Sequence, residues 1–141
     1  MTDDVEQLVA YRLGQARETL EAGRQLLGGK HYRDAVNRAY YAMFYAALGL
    51  LASKGLGSSK HTGVASLFAQ HFVKTGEFPS REAAYLTGAF NLRQKCDYRE
   101  FVEPEPGQTE EILAHAEDFV FEAERTWERV RRSGEGRPGG N

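Results

Sequence analysis

One cysteine, four prolines and no excess of basic charge are what this 141-residue chain has least of, and each shortage excludes a class of protein. With Cys96 alone, neither an internal disulfide nor a cysteine-only metal site can form. Three of the four prolines follow residue 100, so nothing breaks long helices before Pro79. A net charge of −2 and a pI near 6.1 exclude the strongly basic footprint of a general nucleic-acid binder. They leave room for a local basic patch, or for a groove built by two subunits. The first residues lack the basic-then-apolar order of a signal peptide, which makes the cytoplasm the expected address. There is no strand pattern, internal repeat or sustained heptad. Nor is there a glycine-rich phosphate loop, a zinc-protease motif or a nucleophile elbow, so no cofactor is expected.

What is present is apolar and helical. Residues 39 to 51, Ala-Tyr-Tyr-Ala-Met-Phe-Tyr-Ala-Ala-Leu-Gly-Leu-Leu, carry no charge and lie within a helical segment expected from Tyr32 to Lys54. A helix apolar all round is normally buried all round, which puts this one in the middle of a bundle. At about 1.5 Å per residue the run spans only roughly 20 Å, too short for a bilayer. Its phenols, Tyr40, Tyr41 and Tyr45, need hydrogen-bond partners from neighbouring helices if they are buried.

The remaining helices follow from periodicity and punctuation. Val5, Leu8, Val9, Leu13, Ala16, Leu20 and Leu27 predict an amphipathic helix from about Asp3 to Leu27, stopped by Gly28-Gly29. The short interval to Tyr32 predicts an antiparallel hairpin. Gly55 caps the central helix, and a third helix from about Lys60 to Lys74 follows a cap at Ser58 or Ser59 and closes at Gly76. A fourth starts behind Ser80 and runs to about Tyr98 or Phe101; a fifth runs from about Thr109 to Arg132. The fold class is all-α: an up-and-down antiparallel bundle of four to five helices in one domain over residues 1–132. Residues 133–141 are expected to be a disordered tail.

Some residues break the pattern. In the fourth helix the inward stripe of Leu86, Ala89 and Phe90 continues into Arg93 and Asp97. Such charges either satisfy one another and the central tyrosines as a polar plug, or sit at the rim of a cleft, where a guanidinium binds phosphate and a carboxylate holds it or moves a proton. Asp34 and Arg38 form a second polar line, a solvated pair or one that leads to Tyr41 and Tyr45. Lys60, His61 and Thr62 describe an ordinary cap or an anion-receiving helix start. The histidines lack ligand spacing, so no metal site is assigned, and Cys96 reads as a small buried hydrophobe.

Four ordered stretches together resemble a known family. They are Tyr32-Arg-Asp-Ala-Val-Asn-Arg-Ala-Tyr-Tyr-Ala-Met-Phe44, Lys60-His-Thr-Gly63, Phe72-Val-Lys-Thr-Gly76 and Leu92-Arg-Gln-Lys-Cys-Asp-Tyr98. Over about residues 5 to 130 the chain is similar to the prokaryotic HEPN domain family. The resemblance implies an antiparallel bundle, usually a homodimer, often encoded beside or fused to a minimal nucleotidyltransferase. Many members are metal-independent endoribonucleases, and some are toxins neutralised by that partner. Ribonuclease members carry an Arg, a polar residue and then a His on a late helix. Here the match is Arg93 and Gln94, but Asp97-Tyr98 stands where the His is expected.

On this resemblance the candidate catalytic residues are Arg93, Asp97 and Tyr98, and the candidate binding residues are Arg38, Tyr41, Tyr45, Gln94, Lys60 and His61. Tyr98 is also a candidate acceptor for nucleotide transfer. The missing His favours a nucleotide- or RNA-associated module partnered with a nucleotidyltransferase. The alternatives are an RNA-cleaving toxin, and a dimer in which the polar residues are only structural.

Overall fold

The chain's computed structural model describes residues 2–98 and 103–135, with side chains to 133. Thr2 opens the first helix, α1 (Asp3–Gly28): its hydroxyl accepts the Val5 amide at 3.2 Å, and Asp3, Asp4 and Glu6 sit by the positive end of the helix dipole. Val9, Leu13, Ala16 and Leu20 form its buried stripe. The expected stop at Gly28-Gly29 lies slightly later. Gly28 is still helical, and the residue that turns left-handed is Lys30, at φ 64°. The His31 amide then bonds Leu26 O at 2.8 Å and the Lys30 amide bonds Leu27 O at 2.9 Å, using up the last carbonyls of the helix.

The hairpin returns as α2 (Tyr32–Ala52), antiparallel to α1. Gly23 faces Arg38 across the pair, and Gly49 faces Arg12 and Val9. α2 packs against every other helix. Its C-terminus closes as predicted: Gly55 is left-handed at φ 71°, and the Leu56 amide reaches Leu51 O at 2.9 Å.

α3 (His61–Phe68) begins at Lys60 as cap residue, not at Ser58 or Ser59. Ser58 instead folds into a local turn, its Oγ accepting the Lys60 amide at 3.2 Å. α3 passes into a π turn over Ala69–Val73. This sets Phe68 against Phe72, Phe78 and Phe119, and Phe78 against Phe119, with ring centroids 4.9 to 5.7 Å apart. Lys54 fastens the π turn, donating to His71 O at 2.5 Å and to Glu77 at 2.6 Å. Burial of the Glu77 carboxyl works against ionisation, but bonds from Lys54 and Thr75 outweigh it and hold its pKa below the usual value.

α4 (Ser80–Tyr98) runs antiparallel to α2, and α5 (Pro106–Glu135) lies antiparallel to both α4 and α1. Arg17–Glu124, Arg24–Glu117 and Arg131–Glu6 lace α1 to α5 along their exposed edges. Pro106 is the first residue of α5, the position where a missing amide hydrogen costs nothing, so the helix starts earlier than Thr109. Phe101 and the tail from residue 136 lie outside the described residues. Among the described residues there is no strand, and no helix is long and apolar enough to cross a membrane.

α2 is not covered on all sides. Tyr40, Met43, Ala47, Leu50 and Leu51 are buried, but Tyr41, Phe44, Tyr45 and Leu48 are only half-buried. The expectation of a helix buried all round therefore fails along one aromatic strip.

Candidate functional site

That strip borders the polar residues of α4. Ridge spacing on antiparallel α2 and α4 sets Phe90 and Arg93 against Tyr40 and Tyr41. The Arg93 guanidinium carbon lies 5.1 Å from the Tyr40 ring centre, 5.5 Å from that of Tyr41 and 5.7 Å from that of Phe90. These are cation–π distances, and the side chain is only 14% exposed. Arg93 Nη1 donates to Asp97 Oδ2 at 2.9 Å, so the expected pair forms, but only Arg93 turns inward; Asp97 lies on the exposed surface at the end of the stripe. Its Nε is buried without a hydrogen-bond partner among the described residues. The enclosed Nε is out of reach of a solvent-borne anion, so an anion would meet this guanidinium through its terminal nitrogens, one of which already serves Asp97.

Arg38 adds a second cation. It does not pair with exposed Asp34: Nε and Nη2 both donate to Asn37 Oδ1, at 3.1 and 2.6 Å, and the guanidinium lies 5.3 Å from the Tyr41 ring. Tyr41 thus has a guanidinium from α2 and one from α4 within cation–π reach, and Tyr45 stacks obliquely on it at 5.8 Å.

Tyr40 is the buried phenol of the strip, and its partner comes from α3. Its hydroxyl meets His61 Nδ1 at 2.7 Å, while the imidazole stacks on Phe44 at 4.6 Å between centroids. Burial raises the Tyr40 pKa, against the opposing field of Arg93. Burial, then the Arg93 charge, lowers that of His61. A neutral phenol donating to a neutral imidazole satisfies both shifts, which places the ring proton on Nε2. The cap reading of His61 thus gives way to a residue built into the aromatic cluster.

The structure therefore brings together Arg93, Asp97, Arg38, Tyr41, Tyr45 and His61. It leaves Lys60, Gln94 and Tyr98 on the exposed surface, Tyr98 at 79% exposure. Sequence reasoning did not place Phe44 and Phe90 in the site, nor tie Tyr40 to His61 across the intervening turn. The available signal was a phenol inside an uncharged run, which demands a polar partner from elsewhere. Among the described residues no group of His, Cys, Asp and Glu is arranged to hold a metal, and Cys96 is buried.

Chemically, the arrangement offers two guanidiniums for an anion, aromatic faces for stacking, and two proton-transfer groups near Arg93: its carboxylate partner Asp97 and the neutral His61. Known proteins are similar to this chain in sequence. A UPF0332 protein of Thermotoga maritima is 36% identical over 131 residues, 93% of this chain and 99% of that protein. A Methanocaldococcus jannaschii protein named "Putative toxin MJ0605" is 35% identical over 133 residues, 94% of this chain and 93% of its own length. A second protein of that organism, "Putative toxin MJ0142", is 36% identical over 106 residues, 75% of this chain and 72% of its own. Residues 9–126, which include the whole aromatic and guanidinium cluster, match the HEPN domain, and the chain is a member of the HEPN domain family.

Proposed function

We propose that this HEPN domain is an RNA- or nucleotide-binding module that works as a homodimer, as the partner of a minimal nucleotidyltransferase in a toxin–antitoxin-like pair. The observation that carries the reading is the Arg93 guanidinium, framed by Tyr40, Tyr41 and Phe90 beside a second guanidinium, that of Arg38, over the Tyr41 ring. Phosphate suits such a donor set, and unpaired bases suit the rings beside it. The half-buried Tyr41, Tyr45 and Leu48 of the strip support association with a second copy, because apolar groups on an isolated bundle gain from being covered. The exposed Tyr98 hydroxyl is accessible to a partner enzyme's active site and is the proposed acceptor of a transferred nucleotide. The relatives named as toxins support the toxin–antitoxin setting.

A second reading, favoured by those same relatives, is a metal-independent endoribonuclease in which Arg93, Asp97 and Tyr98 act across a dimer cleft. One experiment separates the two. Purified protein is incubated with single-stranded RNA in chelator, and binding and cleavage are followed for wild type, Arg93→Ala and Asp97→Ala. The binding module retains RNA without cutting it and loses roughly tenfold in affinity on Arg93→Ala, as expected when one charge-assisted phosphate contact is removed. Cleavage that vanishes in both variants supports the nuclease. Absence of both binding and cleavage in wild type rules out the two together.

A further inference from the structure

Beside the Tyr40–His61 pair, a cavity of about 290 Å³ opens between α3 and α4, with α2 as its floor. Tyr40, Phe44, Leu86 and Phe90 supply its apolar surface; Thr62, Thr87 and Asn91 supply neutral hydrogen-bonding groups at the rim. No Lys, Arg, Asp or Glu lines it. Its size is at the low end for ligand sites, which run from roughly 300 to 1,000 Å³, so it suits one ring system and little more.

We propose that this cavity receives an unstacked nucleobase of single-stranded RNA. The inference rests on the RNA-binding reading above and assigns the part of the ligand that Arg93 does not hold. A cation would be stripped of water there with no opposite charge to meet it, and an anion would find its nearest cation, Arg93, outside the lining. A purely apolar occupant would desolvate Thr87 and Asn91 with nothing in return. A nucleobase meets both conditions: its faces stack on aromatic rings, and its edges donate and accept hydrogen bonds. The cation its phosphate needs is already close. Arg93 follows Phe90 by one turn of α4 and lies 5.1 Å from the Tyr40 ring, which itself lines the cavity. Base and phosphate sites thus share one wall.

The test measures competition for a short fluorescein-labelled single-stranded RNA by fluorescence anisotropy, using the full chain. Uridine and adenosine 5′-monophosphates are compared with ribose 5-phosphate, which lacks a base. The variants are the double change Thr87→Val with Asn91→Leu, and Ala65→Phe, which fills the cavity. Thr87 and Asn91 are exposed, so their variant should keep the wild-type melting temperature and decides the matter even if Ala65→Phe folds poorly. The expected result is that at least one mononucleotide outcompetes ribose 5-phosphate about tenfold, and that the double variant erases this advantage, as loss of two hydrogen bonds should. Two results overturn the base site while leaving the RNA reading intact. One is equal competition by ribose 5-phosphate. The other is wild-type affinity in the cavity variants while Arg93→Ala loses binding. If Ala65→Phe lowers the mass in light scattering without changing RNA affinity, the cavity belongs to a second copy and the proposal is likewise overturned. If the wild type binds no RNA, the function proposed above fails, and this inference with it.

Discussion

Tyr40 and His61 form a contact whose strength depends on proton position. Because burial and Arg93 lower the His61 pKa, the folded chain disfavours the imidazolium. The unfolded chain, with an ordinary histidine near pKa 6.5, binds the proton more readily. The pair's contribution is therefore complete above about pH 6.5 and is lost as the pH falls towards the lower folded value. Thermal melts from pH 7.5 down to 5.5 should show the wild type losing more stability than His61→Gln; parallel slopes would remove this role. Lys30 offers a second test at the residue scale. A lysine at φ 64° bears a left-handed penalty of about 1 kcal/mol that glycine escapes. Lys30→Gly should raise the melting temperature by about 4 °C, and an unchanged or lower value would mean that the hairpin holds no such strain.

At the scale of elements, the fold depends on how closely α1 and α2 approach. A Cβ at Gly49 would sit 3.1 Å from Arg12 Cβ and 3.5 Å from the Val9 carbonyl oxygen, a backbone atom with little freedom to yield. Gly49→Val should destabilise by about 1–3 kcal/mol in chemical denaturation. Gly14, on the exposed side of α1, has nothing within 4 Å of that position, and Gly14→Ala should stabilise by about 0.5–1 kcal/mol. The opposite signs test whether the interhelix contact, not helix propensity, dominates at Gly49.

The elements themselves were legible in the sequence because periodicity is a local signal. Val9, Leu13, Ala16 and Leu20 mark their face without reference to any partner, and Gly55 marks an end through its own backbone. Where rules compete locally, they misplaced boundaries. Ser58 folds into a turn instead of capping α3, and Pro106 starts α5 because its fixed φ and missing donor suit a first helical position. The site was half legible. Arg93 and Asp97 stood out as charges on an apolar line, but the Tyr40–His61 contact joins residues twenty-one apart across a turn, and no spacing rule reaches that far. Spacing left Arg38 either paired with Asp34 or leading to Tyr41; it lies over the Tyr41 ring, and the neighbouring Asn37 amide, closer at hand than Asp34, draws both of its donors.

For the whole molecule, what matters is whether the cluster serves binding or only stability. The Arg93–Asp97 pair is an i,i+4 ion pair on a helix, worth about 0.3–0.5 kcal/mol, and partly exposed cation–π contacts add about 1 kcal/mol. Removing both leaves most of a typical 5–15 kcal/mol in place, so Arg93→Ala should remain folded. The proposed dimer buries Tyr41, Tyr45 and Leu48 of the strip. Tyr45→Glu should then convert a dimeric mass in light scattering to a monomeric one; a wild-type monomer at micromolar concentration would leave that strip without its proposed partner.

The most direct measurement is the affinity of single-stranded RNA for wild type, Arg93→Lys and Arg93→Ala, each checked for an intact fold by its melting curve. If a planar guanidinium among aromatic faces is an anion receptor, affinity falls in that order, with about tenfold lost at alanine and only part of it kept by lysine, whose ammonium is a point charge without the fork. Equal RNA affinity in all three, with only the melting temperature of Arg93→Ala changed, would contradict the account and reduce the cluster to a structural plug.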